Sequence, residues 1–396
     1  MRYRYSTEEN GKLVKRAVVY TRDEHGINLN DVDSEAAGIV KRLRDSGYES
    51  YIVGGAVRDL ILKKKPKDFD IVSEANPTRI KKIFRNSRII GRRFKLVHVY
   101  FGPRIFEVST FRSLRDGLTS NTFGSIKEDV LRRDFTMNAL FYDPVQQIVV
   151  DYIGGMKDIQ AKRVKPIIPL ATIFRDDPVR MIRAVKYSAS TGFSLPVSLK
   201  WKIKSQSELL TSVSPSRLTE EIFKIIHSPQ AARIVEVLDE MGLYSYLQPN
   251  AAKLMKENQS FRIRYLRSMA ALNQESDHLS DSVQNLPGKA LGAMINDYLE
   301  DIADWGRSTT ENYKSSYSAA RRFVLPMNPP RYELGYAVRR FFAAHGITIK
   351  KSHVMDITGR RNADAEESDT AEIRVPEGSG KRRKRRRRKP KKESTN

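Results

Sequence analysis

The feature that most limits what this chain can fold into is the stretch YIVGGAVRDLILKKKPKDFDIV, from Tyr51 to Val72. An apolar run breaks at Gly54–Gly55 straight into a helical pattern, and a β-branched run follows the lysine-rich turn. That order reads as strand, tight turn, helix and returning strand, the unit of a mixed α/β layer. Paired glycines at such a corner let successive backbone N–H groups turn toward one point at the start of a helix, a place suited to an anion. Arg58 lies one turn inside that helix and can add a positive charge to the same anion. A plain strand–turn–helix corner would use the same residues.

Asp68 and Asp70 flank Phe69 at the head of the returning run. In a strand, residues i and i+2 share a face, so both carboxylates converge while Phe69 turns to the core. Two like charges at that spacing repel unless a cation lies between them. Hard divalent ions, Mg²⁺ above all and Mn²⁺ as a substitute, suit such oxygen ligands and leave positions for substrate phosphate. The alternative is a solvated turn whose acids are balanced by Lys63, Lys64, Lys65 and Lys67. Two further carboxylates can complete a metal site. Glu107 alternates with Phe106 and Val108 in IFEVSTF and faces away from the core. Asp134 stands four residues before Asn138 in RRDFTMNA, on one side of an expected helix. Either acid could instead pair with a neighbouring arginine.

Around this element, short β-branched runs alternate with helical patterns from Ser34 to about Ile159. Strands are expected at 50–53, 68–72, 96–101, 105–111 and 147–152, and helices at 35–46, 56–62, 77–84 and 130–141. Beyond Ala161 the strand signal fades, and apolar faces of helical period take over, such as Val179, Met181, Ile182 and Val185. The expected organisation is an extension over 1–33, an α+β head over 34–160, a helical neck over 161–247, a helical body over 248–352 and a tail over 353–396. The tail is charged, nearly free of aromatics and predicted to be disordered. Eleven of the twelve residues from Lys381 to Lys392 are basic, yet they supply less than half of the formal charge of +24. Folded part and tail are therefore both positive, which favours a polyanionic partner. The absence of cysteine excludes disulfides and thiol chemistry. No apolar run is long enough for a membrane span and no leader pattern opens the chain, so the expectation is a cytoplasmic protein with no membrane partner.

Gly54–Gly55 with Arg58–Asp59, the Asp68–Phe69–Asp70 pair and RRDFTMNA from Arg132 to Ala139 together resemble the class II nucleotidyltransferases. These are the bacterial poly(A) polymerases and tRNA CCA-adding enzymes, whose catalytic head is polymerase-β-like. GGMKDIQAKRV from Gly154, RDDPVRMIRAVKYSA from Arg175, and Arg217, Glu221 and Lys224 follow in the family's order. The resemblance implies a head with a small mixed sheet and helices, then an all-helical neck and body. It implies Asp68, Asp70 and Asp134 as catalytic acids, with Mg²⁺ on Asp68 and Asp70; Glu107 remains a candidate ligand from its strand position alone. It places Gly54, Gly55, Arg58, Arg133 and Asn138 around a triphosphate and sugar, and Asp177 and Arg180 at the incoming base. A carboxylate and a guanidinium three residues apart suit the amine-plus-acceptor edge that adenine and cytosine share, and reject guanine and uracil. Asp177 before Pro178 also suits a helix cap. The family usually has Glu where Asp176 stands.

The implied reaction is addition of AMP from ATP to the 3′ end of an RNA (mRNA, sRNA or tRNA). The base-reading pair leaves tRNA CCA- or A-addition open. The run from Ile89 to His98 and NPTRIKKIFRNSR resemble the poly(A) polymerases, whereas the short stretch between Arg112 and Asn121 does not. Arg217 and Lys224 are expected to touch RNA. The tail arginines Arg382, Arg383, Arg385 and Arg386 are expected to hold RNA phosphates or RNA-decay proteins. A catalytically inactive RNA-binding protein is the reading from another class, which the intact Asp68 and Asp70 oppose. A phosphohydrolase lacks its His-Asp pair.

Overall fold

The computed structural model describes residues 2–7, 13–91, 95–113, 122–272 and 286–349. Nine strands form one sheet: β1 (Arg2–Thr7), β2 (Leu13–Tyr20), β3 (Ser50–Val53), β4 (Asp70–Ser73), β5 (Ser87–Ile90), β6 (Leu96–Phe101), β7 (Arg104–Thr110), β8 (Leu140–Asp143) and β9 (Ile148–Asp151). Their order is β1-β2-β9-β8-β3-β4-β7-β6-β5. Every pairing is antiparallel except that of β4 with β7.

Strands β3 and β8 lie at the centre and are buried along their whole length. Tyr51 and Val53 point to one face, where they meet Val72, Phe141 and Val150. Ile52 alternates to the other face and is equally buried. The helices Ser34–Asp45 and Gly55–Ile61 cover β3. Asp33 starts the first of them by accepting the backbone N–H groups of Glu35 and Ala36. From Ile173 to Ala344 the regular elements among the described residues are helices, which makes the fold an α+β head followed by a helical body. Val179, Met181, Ile182 and Val185 form the buried side of the helix Val179–Thr191, as their spacing predicts. No helix among the described residues is long and apolar enough to cross a membrane.

One expectation about the elements is corrected. The helix expected over 130–141 ends at Arg132, and a 3-10 turn (Thr136–Asn138) and β8 follow. The backbone there is held by a neighbouring segment instead. Thr136 N–H donates to the Lys165 carbonyl, Ile167 N–H donates to that of Asp134, and Phe135 bridges Pro166. These tertiary hydrogen bonds override the helical pattern of the apolar residues. Within the extension expected over 1–33, β1 and β2 pair antiparallel with each other, and β2 joins the sheet through β9. The period-2 alternation in RYRYST is the local signal for it. Arg4 donates to the Glu49 carboxylate and the Tyr51 hydroxyl, at 2.9 and 3.0 Å.

Candidate active site

Gly54 ends β3 with φ 75° and ψ −137°, a conformation open in practice only to glycine. A Cβ on Gly54 would make only ordinary contacts, 3.7 Å from Asp70 Oδ2 and 4.0 Å from Arg133 Nη1, so the backbone conformation rather than space calls for glycine. The glycine turn, one acid of the pair and Arg133 thus occupy one place.

Asp70 is the first residue of β4, paired with Val53, while Asp68 lies two residues before the strand. Phe69 is half-buried rather than a core residue. The parallel register Ile71↔Val108 sets Asp70 beside Glu107 on β7. Asp70 keeps an exposed face but is hemmed in by protein, and its carboxyl pKa is pushed up to about 6. Burial is the largest cause and the Glu107 charge the next; Arg133 opposes the shift and Asp68 adds to it. Glu107 is exposed and lies 3.5 Å from His98 Nε2. Among the described residues no three His, Cys, Asp or Glu side chains converge as a ready-made metal site. The carboxylates of Asp68 and Glu107 nonetheless act on Asp70, their repulsion only partly offset by Arg133, and all three offer hard oxygen. Such a donor set fits a Mg²⁺ ion whose remaining positions are filled by phosphate and water.

The cleft here, about 280 Å³ in volume, is lined by Gly54, Gly55 and Asp70 together with Arg132, Arg133, Arg180, Arg183, Asp134, Asn138 and Tyr187. All four arginines are held by neighbouring groups, Arg132 by donating to the Ser113 carbonyl at 2.7 Å. Arg133 donates to Asp129 Oδ2 at 2.9 Å and to the Asn138 carbonyl at 3.3 Å. Arg180 is buried and donates to the Ile173 carbonyl at 3.2 Å. Burial lowers its pKa, against the pull of Asp177 and Asp134. Arg183 donates through Nε and Nη2 to Glu221 Oε1, at 3.0 and 2.8 Å. Burial acts against the Arg183 charge, but Glu221 outweighs it and the pKa is raised. Glu221 is 2% exposed and also faces Lys186 at 3.2 Å and Lys224 at 3.5 Å. Burial resists its charge, yet Lys186 and Arg183 bring the Glu221 pKa down to about 2.

Several expected site residues stand elsewhere than at the cleft surface. Arg58 is buried, donates to Asn138 Oδ1 at 2.8 Å and lies over the Tyr187 ring, so it braces Asn138 from behind. Asn138 in turn donates to Asp134 Oδ1 at 3.3 Å; the two meet across the 3-10 turn rather than along a helix. Asp177 and Arg180 do not share a helical face, because the helix starts at Val179. Asp177 receives Arg217 Nη2 on both oxygens at 2.9 Å and accepts the Val179 N–H at 3.2 Å, from one residue before Pro178, which stands at the N-cap itself. Arg217 and Lys224, expected on RNA, are exposed but engaged with Asp177 and Glu221. Arg382, Arg383, Arg385 and Arg386 lie outside the described residues, as do Arg92 to Phe94 and 114–121. Arg132, Arg183 and Tyr187 are site residues that the sequence motifs do not single out. Arg180, Arg183 and Tyr187 recur at i, i+3 and i+7 on the polar side of an apolar helix, and that spacing is the signal for the last two.

The GGMKDIQAKRV stretch supports the site from below. Asp151, almost fully buried, accepts the backbone N–H groups of Ile153, Gly154, Gly155 and Met156 at 2.8–3.1 Å. This sets the helix Gly155–Gln160 against the turn that presents Asn138. Asp158 accepts the Thr136 hydroxyl at 2.8 Å. A Cβ on Gly155 would fall 2.3 Å from the Thr136 carbonyl oxygen, so backbone would have to move. Gly155→Ala is expected to cost about 1–3 kcal/mol of stability and to raise the KM for nucleotide through displaced Asn138. Urea unfolding and initial rates check this, and an unchanged KM would detach the turn from the site.

The chain matches two family models, "Poly A polymerase head domain" over residues 50–165 and "Probable RNA and SrmB-binding site of polymerase A" over residues 192–255. It is 40% identical over 269 residues to poly(A) polymerase I of Escherichia coli O6:H1, covering 64% of this chain and 58% of that protein. With poly(A) polymerase I of Haemophilus influenzae it shares 35% over 286 residues, 68% of this chain and 63% of the other. The CCA-adding enzyme of Geobacillus thermodenitrificans is 37% identical over 225 residues, 55% of each. The chain thus spans less than two thirds of the length of these relatives. Among solved structures, the CCA-adding enzyme of Bacillus stearothermophilus in complex with CTP aligns at a TM-score of 0.52 and 26% identity, over 83% of this chain and 88% of that one. The glycine corner, the acid pair, Arg132 and Arg133 lie within residues 50–165, which the head-domain model matches, and the chain belongs to the family of bacterial poly(A) polymerases and tRNA CCA-adding enzymes.

Proposed function

We propose that this protein is a template-independent polynucleotide adenylyltransferase that adds AMP from ATP to RNA 3′ ends. The observation that carries the reading is the cleft, where Gly54–Gly55, Asp70 and four arginines line one space of about 280 Å³. Such a lining matches a triphosphate and the charge that develops on departing pyrophosphate. In the reaction the RNA 3′-oxygen bonds to the α-phosphorus, the bond from that phosphorus to the bridging oxygen breaks, and a proton and pyrophosphate leave.

Asp68 and Asp70, with Glu107 beside them, would hold Mg²⁺ or Mn²⁺; the chemistry such an ion supplies is activation of a hydroxyl and relief of charge at the leaving group. Arg133 and Arg183 bind triphosphate oxygens from positions locked by Asp129 and Glu221. Asn138, braced by Arg58 and Asp134, orients the sugar. Arg180 and Asp177 select the base by its amine-plus-acceptor edge. Arg217 and Lys224, with the tail arginines, attract the RNA backbone, and the tail is also where proteins of RNA decay would attach. The setting is the cytoplasm.

Cytosine presents the same edge as adenine, which supports a second reading as a tRNA CCA-adding enzyme. The longer matches to poly(A) polymerases support the first. The test supplies ATP and CTP separately, with oligo(A) or a tRNA lacking its end as primer. AMP addition to oligo(A) without CMP addition is the expected result. CMP addition to tRNA selects the second reading, and no incorporation of either nucleotide leaves a binding protein.

A further inference from the structure

The helix Val197–Gln206 (VSLKWKIKSQ) turns Leu199 and Ile203 fully inward. Val197, Lys200, Trp201 and Lys204 recur at spacings of three and four on its outer side. Val197 is 83% exposed and Trp201 68% exposed, and both lysines are exposed. Neither lysine has an ion-pair partner among the described residues, and the helix contains no acid. The outer face is therefore an open indole and an aliphatic side chain bordered by free ammonium groups.

Its anchorage ties it to the cleft. Ser194 N–H donates to the Lys162 carbonyl at 2.8 Å, and Val164 N–H donates to that of Ser194 at 3.0 Å. The same backbone strip accepts Thr136 N–H at Lys165 and donates from Ile167 to the Asp134 carbonyl. One short segment thus links the start of this helix to the wall that carries Asp134. The Lys162 and Lys165 side chains on it are exposed.

We propose that the Val197–Trp201 face, bordered by Lys200 and Lys204, is a stacking platform for single-stranded RNA on its way to the cleft. A base has a π-face for the indole, and its flanking phosphates suit the ammonium groups, without sequence preference. The match over residues 192–255 spans this helix as a whole and singles out no residue. Charge complementarity favours RNA over a protein partner, because every ionisable group on the helix is a lysine. The inference rests on the reading of this chain as an RNA-extending enzyme.

The chain has two tryptophans, so Trp201 emission is followed in a Trp305→Phe background. Oligo(A) is expected to quench it. Trp201→Ala is expected to weaken oligo(A) binding about 5- to 150-fold, with Trp201→Phe retaining most of the affinity. The KM for primer should rise, while the KM for ATP and kcat at saturating primer stay unchanged. Lys200→Gln with Lys204→Gln is expected to flatten the salt dependence by about 0.7 for each phosphate no longer neutralised. Quantitative adenylation with an unchanged primer KM in Trp201→Ala, and no quenching, overturns the platform and leaves the proposed reaction standing. Quenching by oligo(A) without transfer of any nucleotide overturns the reaction and leaves the platform.

Discussion

Replacing Asp70 by alanine is expected to lower kcat for AMP transfer by roughly 10³-fold or more, with affinity for oligo(A) unchanged; Asp68→Ala should behave alike. Asp70 lines the cleft and Asp68 stands two residues before it, whereas the cations expected to meet RNA lie on other elements. Stability separates a lost catalyst from a lost fold. Burial and Glu107 raise the Asp70 pKa to about 6, above its ordinary value near 3.8. A carboxyl whose pKa is raised by folding opposes folding where it is charged, so its removal relieves the native state above about pH 6. In metal-free buffer at pH 7.5, Asp70→Ala should melt no lower than the wild type. Thermal unfolding with and without Mg²⁺, read beside kcat, tests both statements. A variant that loses turnover and melting temperature together would make Asp70 a structural residue.

The second large effect is at Glu221, the buried anion that gathers Arg183, Lys186 and Lys224. Glu221→Ala leaves these cations without their shared partner, and the expected loss is about 3–5 kcal/mol. Glu221→Gln keeps the shape and loses the charge. It should raise the KM for ATP, because Arg183 is no longer held at the cleft. The pH dependence has a definite sign. The folded pKa is near 2 against an ordinary 4.5, so the carboxylate stabilises the native state above about pH 4.5. That contribution, about 3 kcal/mol by the size of the shift, fades as the pH falls from 4.5 toward 2. Urea midpoints at pH 7, 4 and 2.5 should converge for wild type and Glu221→Gln. A constant gap across that range would assign the loss to packing instead.

What is legible in the sequence follows from which residues act locally. The corner at Gly54–Gly55 can be read because a strand run, a φ-permissive residue and a helix start are adjacent in the chain. β3, β6 and the helix from Pro77 agree with expectation to within a residue for the same reason, the last by the Asn76 cap. The 130–141 stretch departs from its helical pattern because its backbone partners, Lys165 and Ile167, lie some thirty residues away and carry no local mark. Arg58 shows the same limit. Its place in the helix is as expected, but Asn138, eighty residues on, claims its guanidinium. Asp68 and Asp70 stand out in the sequence as neighbours of the glycine corner, although only Asp70 belongs to the strand. Arg183 stays hidden because its value at the cleft depends on Glu221, and nothing in RMIRAVKYSA announces a buried anion thirty-eight residues later.

During synthesis, the hairpin at the start of the chain has to wait for its partner. β2 emerges from the ribosome about 130 residues before β9, on which Tyr20 pairs with Val149. Until then its outer edge has no native partner, and long-range pairing of this kind is slow and exposed to wrong association. The amino-terminal strands are therefore made first and seated late, and nascent chains halted before Asp151 should be those that most need a chaperone.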